Sequence, residues 1–565
     1  MKKTAVFALT FSTLLLLAAA STAVPAQTIY WGDSFPKGWN GSWPAKFLTV
    51  PEKTNYTRTA SSTEVLEFLD TMRWNSDKVT VLNMFVTSLR RVGAAVVLSS
   101  PRAASPEEAV KSGKTVVYFQ GNIHPYEPEA KEALQMLMRD ILFGKRARLL
   151  DKLIIIMCPD FNVDGTDTLT LSEGTPHLLG NANNAQNLNL NRDAIKLETP
   201  EVNGLYRTIF NRWDPTLIYD GHLMGRVQHG YAIGYATCTV PASHPGPRDY
   251  VFDKLFPAIR EATRRDFGLE VFTHCGTDNK WPPTQWSPEA AMWTTEAKFV
   301  ANAYGLRNRM AILAETPGHE SFERRIYAHY ALMAEVLEYA AAHGQEMRAI
   351  CLAADREVVE AVKAKAESGE LKNWVAGKYG SYGKVDILMY KERNFSELIP
   401  GTSVRAKIPA HMLKPPELVK GVEFMAKPVG TVEAKMPRGY LIPAELDDVA
   451  EKLRTHNVKV EVLAKPIKVA GEEFVIDRVI QGRGGNTPPL RLEGGFAPSP
   501  VKEFPAGTFR VDLAQPCANV AFYCLEPQAA DGFAGWGVFD AWLKSAGADK
   551  RSVVYPIYKY FKILE

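Results

Sequence analysis

The stretch GNIHPYEPEAKEAL, residues 121–134, sets His124 three positions before Glu127, directly after the apolar run TVVYF. If the chain turns into a helix there, that spacing puts an imidazole and a carboxylate on one side of the first turn, where both can address a single cation. The spacing alone does not make a site, because H-x-x-E recurs at His343 and Glu346 inside AAHGQEM. A catalytic zinc takes three protein ligands and keeps an open position, and two histidines with one glutamate are an accepted set. The third candidate is His222 in TLIYDGHLMG, where an apolar run meets glycine. Taken alone, a strand-end histidine is more often a packed or solvent-facing residue. Asp220, on the same side of a continuing strand, is either an orienting partner or a cap.

These side chains need elements to hold them. From about residue 56 to 343, apolar runs of strand length alternate with longer helical stretches, the pattern of an α/β domain. TVVYF (115–119), KLIIIMC (152–158), TLIYDG (216–221) and MAILAE (310–315) predict buried strands. EPEAKEALQMLMRDIL and YVFDKLFPAIREATRRDF carry apolar residues at three- and four-residue intervals and predict amphipathic helices. ESFERRIYAHYALMAEVLEYAAAHG predicts the clearest helix, ending at Gly344, and QEMRAICLAADREVVEAVKAKAES predicts a further one. Beyond about Val385, the short runs VDILMY, KVEVLAK, EEFVIDRVI, TFRVDL and NVAFYC are broken by Pro and Gly, which predicts a smaller β-rich region. The expected division is 27–375 for the α/β domain and 376–565 for the accessory region.

Between the candidate ligands, CPDFNVDGTD (158–167) ends a strand in a polar turn, NLNLNRDAIKLETPE (187–201) carries an Asn-Arg pair, and AILAETPGHE closes a strand on Glu315. Turn chemistry accounts for the first two without a function, and Glu315 alone reads as a buried carboxylate paired with Arg307 or Arg309, or as a helix N-terminal residue. The order of these features resembles the M14 (carboxypeptidase A-like) zinc carboxypeptidases, over about residues 56–343. That resemblance implies a mixed central sheet with helices on both faces and one zinc per chain. It also implies His124, Glu127 and His222 as ligands and Glu315 as general base and acid. Asn191 and Arg192 match the family's pair that holds a substrate's terminal carboxylate, and NVDG (162–165) stands at its Asn-Pro-Asp-Gly turn, with Val163 in place of proline.

Two positions depart from the family pattern. No Arg or Lys occurs from Thr166 to Asn191, where a second arginine is expected, and Asn189 stands where a carboxylate orients the first zinc histidine. Candidate substitutes facing the substrate are Tyr304 and Arg307, with Arg309, on an expected loop leading to Glu315, and His229 and Tyr231 in HGYAIGY.

The 565 residues are 46% apolar and 23% charged, enough for two or three folded domains. The 66 basic and 63 acidic residues are well mixed, which gives no case for nucleic acid or an anionic membrane as partner. Residues 1–26 combine MKK, the apolar AVFALTFSTLLLLAAA and VPA before Gln27, the plan of a bacterial export signal leading to the periplasm or the medium, with no membrane association after cleavage. Six cysteines follow it without a C-x-x-C; Cys517 and Cys524 read either as a bridge between strands or as buried thiols. The expected function is an exported zinc peptidase acting on a peptide. The alternatives are a zinc amidase or deacylase on a substrate such as a cell-wall peptide, and a non-catalytic peptide-binding protein on the same scaffold. The oligomeric state is left open.

Overall fold

Eight strands build the central sheet: β1 (Val79–Val86), β2 (Val92–Leu98), β3 (Thr115–Gly121), β4 (Leu153–Cys158), β5 (Leu217–Met224), β6 (Ile233–Ala236), β7 (Val271–Thr273) and β8 (Met310–Pro317). Their order is β1-β2-β4-β3-β5-β8-β6-β7. The computed structural model describes residues 39–172, 175–225, 227–391, 415–549 and 551–564, so the expected export segment lies outside the described residues. The neighbours β4, β3, β5 and β8 run parallel, while β1, β2 and β6 join antiparallel neighbours, so the sheet is mixed, as the resemblance implies.

Alternate residues of the parallel strands point to opposite faces, and both faces are covered. Val117, Phe119, Ile155 and Tyr219 pack with Leu134 and Leu137 of α1 (Glu129–Phe143). Tyr118, Ile154, Ile156 and Ile218 pack on the other side with Leu205 and Phe210, and with Tyr304 of α2 (Val300–Leu306). Two glycines set how closely α1 approaches the sheet. A Cβ on Gly121 would lie 2.7 Å from Lys131 N, and one on Gly221 2.4 Å from Ala130 Cβ. Only glycine lets the first turn of α1 rest on the ends of β3 and β5, where the candidate ligands lie.

The helix expected to stop at Gly344 continues instead: α3 spans Phe322–Lys365, 44 residues. A Cβ on Gly344 would lie 2.5 Å from Thr115 Oγ1, so this glycine serves a close helix–strand approach and not a C-terminal cap. The helix thereby spans both of the helical runs read in the sequence.

The β-rich region starts with β9 (Lys372–Gly380) and β10 (Lys384–Met389), so the expected boundary at 375–376 falls inside β9. β11 (Glu417–Phe424) pairs with β10, β12 (Lys427–Lys435) with β9, and residues 285–287 of the α/β part join β11 in parallel. A seven-stranded sheet follows, containing β13 (Gly439–Ile442), β14 (Ile467–Gln481), β15 (Leu490–Phe504), β16 (Phe509–Asp512) and β17 (Tyr558–Ile563). Helix α4 (Asp447–Thr455) packs here as well. NVAFYC, expected as a strand, lies in helix α5 (Ala518–Leu525), all of whose residues are buried. A short element that is apolar on every side has no periodicity to separate the two forms. All six cysteines are free and buried, Cys517 and Cys524 among them.

The two regions share one apolar cluster: Phe210 and Tyr304 belong to it together with Tyr440, Phe474, Phe522 and Phe533. Among the described residues no helix is long and apolar enough to cross a membrane.

Candidate active site

The carboxyl ends of β3, β5 and β8 meet at one edge of the sheet, the place where open parallel sheets present ligand-binding residues. After β3 the chain passes Asn122, at φ +63°, and closes a tight turn in which Glu127 N donates to His124 O at 2.8 Å. The neighbouring NVDG turn supports this loop, since Asn162 Nδ2 donates to Ile123 O at 3.2 Å while its Oδ1 accepts from Gly165 N at 3.0 Å. His222 lies in β5, and Glu315 pairs with it in register on β8, so the two side chains emerge on the same face.

His124, Glu127 and His222 are buried, and one ligand atom of each lies within 4.8 Å of the others. His124 Nδ1 is 3.3 Å from Glu127 Oε1, and His222 Nδ1 is 2.9 Å from Glu127 Oε2. The outward nitrogens are held from behind: His124 Nε2 lies 3.0 Å from Asn189 Oδ1 and His222 Nε2 2.9 Å from Asp220 Oδ2. Hydrogen bonds from both Nε2–H groups turn both Nδ1 atoms inward, the side on which a metal ligand presents its lone pair once a cation takes the place of a proton. His124 Nδ1 is buried and makes no hydrogen bond. A nitrogen, a nitrogen and a carboxylate converging around one unpaired acceptor suit a dication such as zinc.

The local charges show an excess of buried carboxylate that a cation would offset. Burial opposes ionisation of Glu127, yet His124 and His222 hold its carboxyl below the usual range. Burial also opposes a charged His222, but Asp220 and Glu127 outweigh it and hold the ring well above the usual imidazole value. Glu315 is pushed up to about 8, first by burial and then by the Glu127 and Asp220 carboxylates, against the pull of His222 and Arg192. A carboxyl raised in this way, next to a candidate cation site, is placed for proton transfer.

Asn191 is buried beside the ligands; its Oδ1 accepts from Val300 N at 2.9 Å and its Nδ2 lies 3.3 Å from His222 Nε2. Arg192 is half-buried, donates to Asn191 O at 2.8 Å and lies 4.5 Å above the Phe299 ring. Tyr126, Glu127, Glu315 and Glu296 are the charged and phenolic groups acting on its guanidinium.

Tyr304 and Arg307 require correction. The Tyr304 hydroxyl donates to Pro215 O, and Arg307 is buried against Asn211 Oδ1 at 2.9 Å and Phe210 O at 3.3 Å. Both precede β8, whose first residue, Met310, pairs with Leu217 at the amino end of β5. Five residues of strand separate that end from Glu315, roughly 17 Å at the usual rise. Arg309 is at the same far end, paired with Asp214 and Asp355. Of the other candidates, His229 is buried and held down to about 3, first by burial, and the Tyr231 hydroxyl accepts from Leu388 N at 3.0 Å.

Two site neighbours escaped the sequence reading. Tyr126, inside the H-x-x-E turn itself, is 41% exposed while its flanking residues are buried, and its ring stacks on His124 with centroids 5.9 Å apart. An aromatic standing between two buried ligands was the available signal. Phe299, the platform under Arg192, carries no local signal because it lies more than a hundred residues away in the chain.

A model of the zinc carboxypeptidase family matches residues 65–212, a span that contains His124, Glu127, Asn191 and Arg192. Carboxypeptidase 2 of Trichophyton tonsurans is 23% identical over 468 residues, covering 76% of this chain and 75% of the relative. Carboxypeptidase 2 of Trichophyton rubrum is 22% identical over 473 residues, covering 77% and 76%. Among solved structures, a metallo-carboxypeptidase from Burkholderia cenocepacia aligns at 17% identity and a TM-score of 0.38, over 51% of this chain and 71% of that one. The family match over residues 65–212 and the carboxypeptidase relatives along three quarters of the sequence lead to one conclusion: this chain is similar to the zinc carboxypeptidases, a family of metallopeptidases.

Proposed function

We propose that the protein is an exported carboxypeptidase that removes the C-terminal residue of a peptide, with one zinc held by His124, Glu127 and His222. The observation that carries this reading is the convergence of those three ligand atoms beside Glu315, which lies in register with His222. Bound there, zinc would lower the pKa of a water molecule and polarise the scissile carbonyl. Glu315 takes the proton of the attacking water and returns it to the departing amine; its raised pKa suits both halves of that exchange. Arg192 grips the substrate carboxylate in a charge-assisted fork, and Asn191 fixes the backbone from which Arg192 projects. The α/β domain carries this chemistry, and the described part of the β-rich region, from Lys372 onward, packs against it. Export rests on the composition of residues 1–26.

A second reading, an amidase or deacylase that needs no free carboxylate, is favoured by one observation: the Thr166–Asn191 segment lacks the second cation of the family pattern. Both readings are tested together. The purified protein is expected to hold about one zinc per chain, to lose activity to chelators and to recover it with zinc. Glu315→Gln is expected to keep the metal and lose about a hundredfold to ten-thousandfold in kcat. A free-acid peptide cleaved far better than its C-terminally amidated counterpart supports the carboxypeptidase; equal cleavage selects the amidase. Protein that cannot be loaded with zinc refutes both.

A further inference from the structure

The carboxylate grip is seated on a loop that the C-terminal region holds. Asp531, fully buried in the turn after α5, accepts Lys298 N on Oδ2 at 2.7 Å and Ala297 N on Oδ1 at 3.1 Å, and Oδ1 also accepts the Tyr523 hydroxyl at 3.1 Å. The next residue, Phe299, is the ring under the Arg192 guanidinium, and the one after it, Val300, donates through its N–H to Asn191 Oδ1. Lys298 O closes the contact by accepting Ala194 N, two residues beyond Arg192, at 3.3 Å. One carboxylate from the far end of the chain thus fixes two consecutive peptide groups, and both sides of the Asn191–Arg192 pair rest on what those groups carry. Two further contacts brace the same stretch from α4 and its end: His456 Nε2 donates to Ile195 O at 2.7 Å, and Lys452 Nζ donates to Lys196 O.

We propose that Asp531 is a positioning residue for substrate recognition, and that the C-terminal region is thereby part of the carboxylate-binding site. Through the 297–300 loop, Asp531 sets the height of Phe299 and with it the direction of the Arg192 fork. The inference rests on Arg192 as the carboxylate anchor. Both oxygens of Asp531 are engaged by N–H groups, so asparagine, with one acceptor and an NH2 that opposes the second N–H, cannot reproduce the contact. Loosening the loop costs directional contact with a carboxylate, while the candidate ligands and Glu315 stand on β5, β8 and the turn after β3, none of which Asp531 hydrogen-bonds.

The test is the ratio of kcat/KM for a free-acid peptide to that for its amidated counterpart, measured in full-length zinc-loaded wild type, Asp531→Asn, Phe299→Leu and Arg192→Ala. A partly unfolded preparation scales both rates together and leaves the ratio alone, so a merely structural role does not move it. For Asp531→Asn and for Phe299→Leu the ratio is expected to fall about tenfold, through KM of the free acid, with kcat and zinc content within about twofold of wild type. Phe299→Leu keeps the apolar volume and removes the platform, so it stands as the second arm if Asp531→Asn yields too little folded protein. A wild-type ratio in both variants, with the ratio collapsed in Arg192→Ala, overturns this inference alone. A wild-type ratio in Arg192→Ala overturns it together with the carboxylate-anchor reading.

Discussion

Asn189 is the sharpest departure from the pattern the rest of the site follows, and its replacement by aspartate should tighten the metal site. Its Oδ1 lies 3.0 Å from His124 Nε2 and accepts Asn191 N at 3.0 Å. Aspartate offers an acceptor at the same place and serves as well at the start of the short helical turn Leu190–Arg192, so the fold has no reason to respond. A neutral hydrogen bond contributes about 1 kcal/mol net and one to a charged partner about 1.5 to 3 kcal/mol. The difference, somewhat reduced because position 189 is half-buried, is about 1.4 kcal/mol, or roughly tenfold in Kd. Loss of the acceptor in Asn189→Ala should weaken binding by about ten- to a hundredfold, as is usual for groups that orient a metal ligand. The assay is competition for zinc against a chromophoric chelator at one fixed pH for all variants, so that proton competition at His222 is common to them. An Asn189→Asp protein that folds like wild type but binds zinc no more tightly refutes the assignment of Asn189 as the partner of His124, and with it the inward-facing Nδ1.

Other perturbations have equally definite outcomes. Gly344→Ala sets a methyl 2.5 Å from Thr115 Oγ1 and should cost about 1 to 3 kcal/mol despite the better helix propensity of alanine, read as a lower melting temperature. His456 is held down to about 3, first by burial, so between pH 6.5 and 3 the unfolded chain binds a proton that the folded chain refuses. Stability contributed by the neutral ring is therefore full above about pH 6.5 and is lost as pH falls; the loss is about 1.4 kcal/mol by pH 5.5. Urea midpoints at pH 7 and 5.5 should diverge less in His456→Gln than in wild type.

How much of this was legible in the sequence depended on where the partners lay along the chain. His124 and Glu127 share a turn, and His222 and Glu315 each end a strand of their own, so local pattern and strand order brought all four to one edge. Strand polarity also exposes the misreading of Tyr304 and Arg307: residues that enter a parallel strand sit at the amino edge, a full strand length from residues that leave it. Gly344 looked like a stop because the sequence records that a side chain is missing and not what occupies the space; Thr115 does. The seat of Arg192 was out of reach for a different reason. Phe299 and Asp531 meet the Asn191–Arg192 segment only through tertiary packing, across more than a hundred and more than three hundred residues, and periodicity carries no information at that range.

The same distinction separates a packed histidine from a ligand at position 222. A histidine serving only the core would have both ring nitrogens satisfied by groups that need nothing more. Here one side of the ring is overdetermined: the Tyr118 hydroxyl donates to Gln120 Oε1 at 3.0 Å, Gln120 Nε2 donates to Asp220 Oδ1 at 2.9 Å, and Asp220 Oδ2 meets His222 Nε2 at 2.9 Å. The backbone is tied as well, since His329 Nε2 donates to His222 O at 2.9 Å and accepts the Tyr219 hydroxyl on Nδ1 at 2.9 Å. Burial keeps His329 neutral, which that pair of bonds requires. Polar groups buried on both faces of the sheet are thus committed to the orientation of one ring, while its remaining nitrogen faces Glu127 and the unpaired Nδ1 of His124. Such a commitment costs desolvation that apolar packing would avoid, and it fixes one ring nitrogen toward the other two candidate ligands, which metal coordination requires and a core does not.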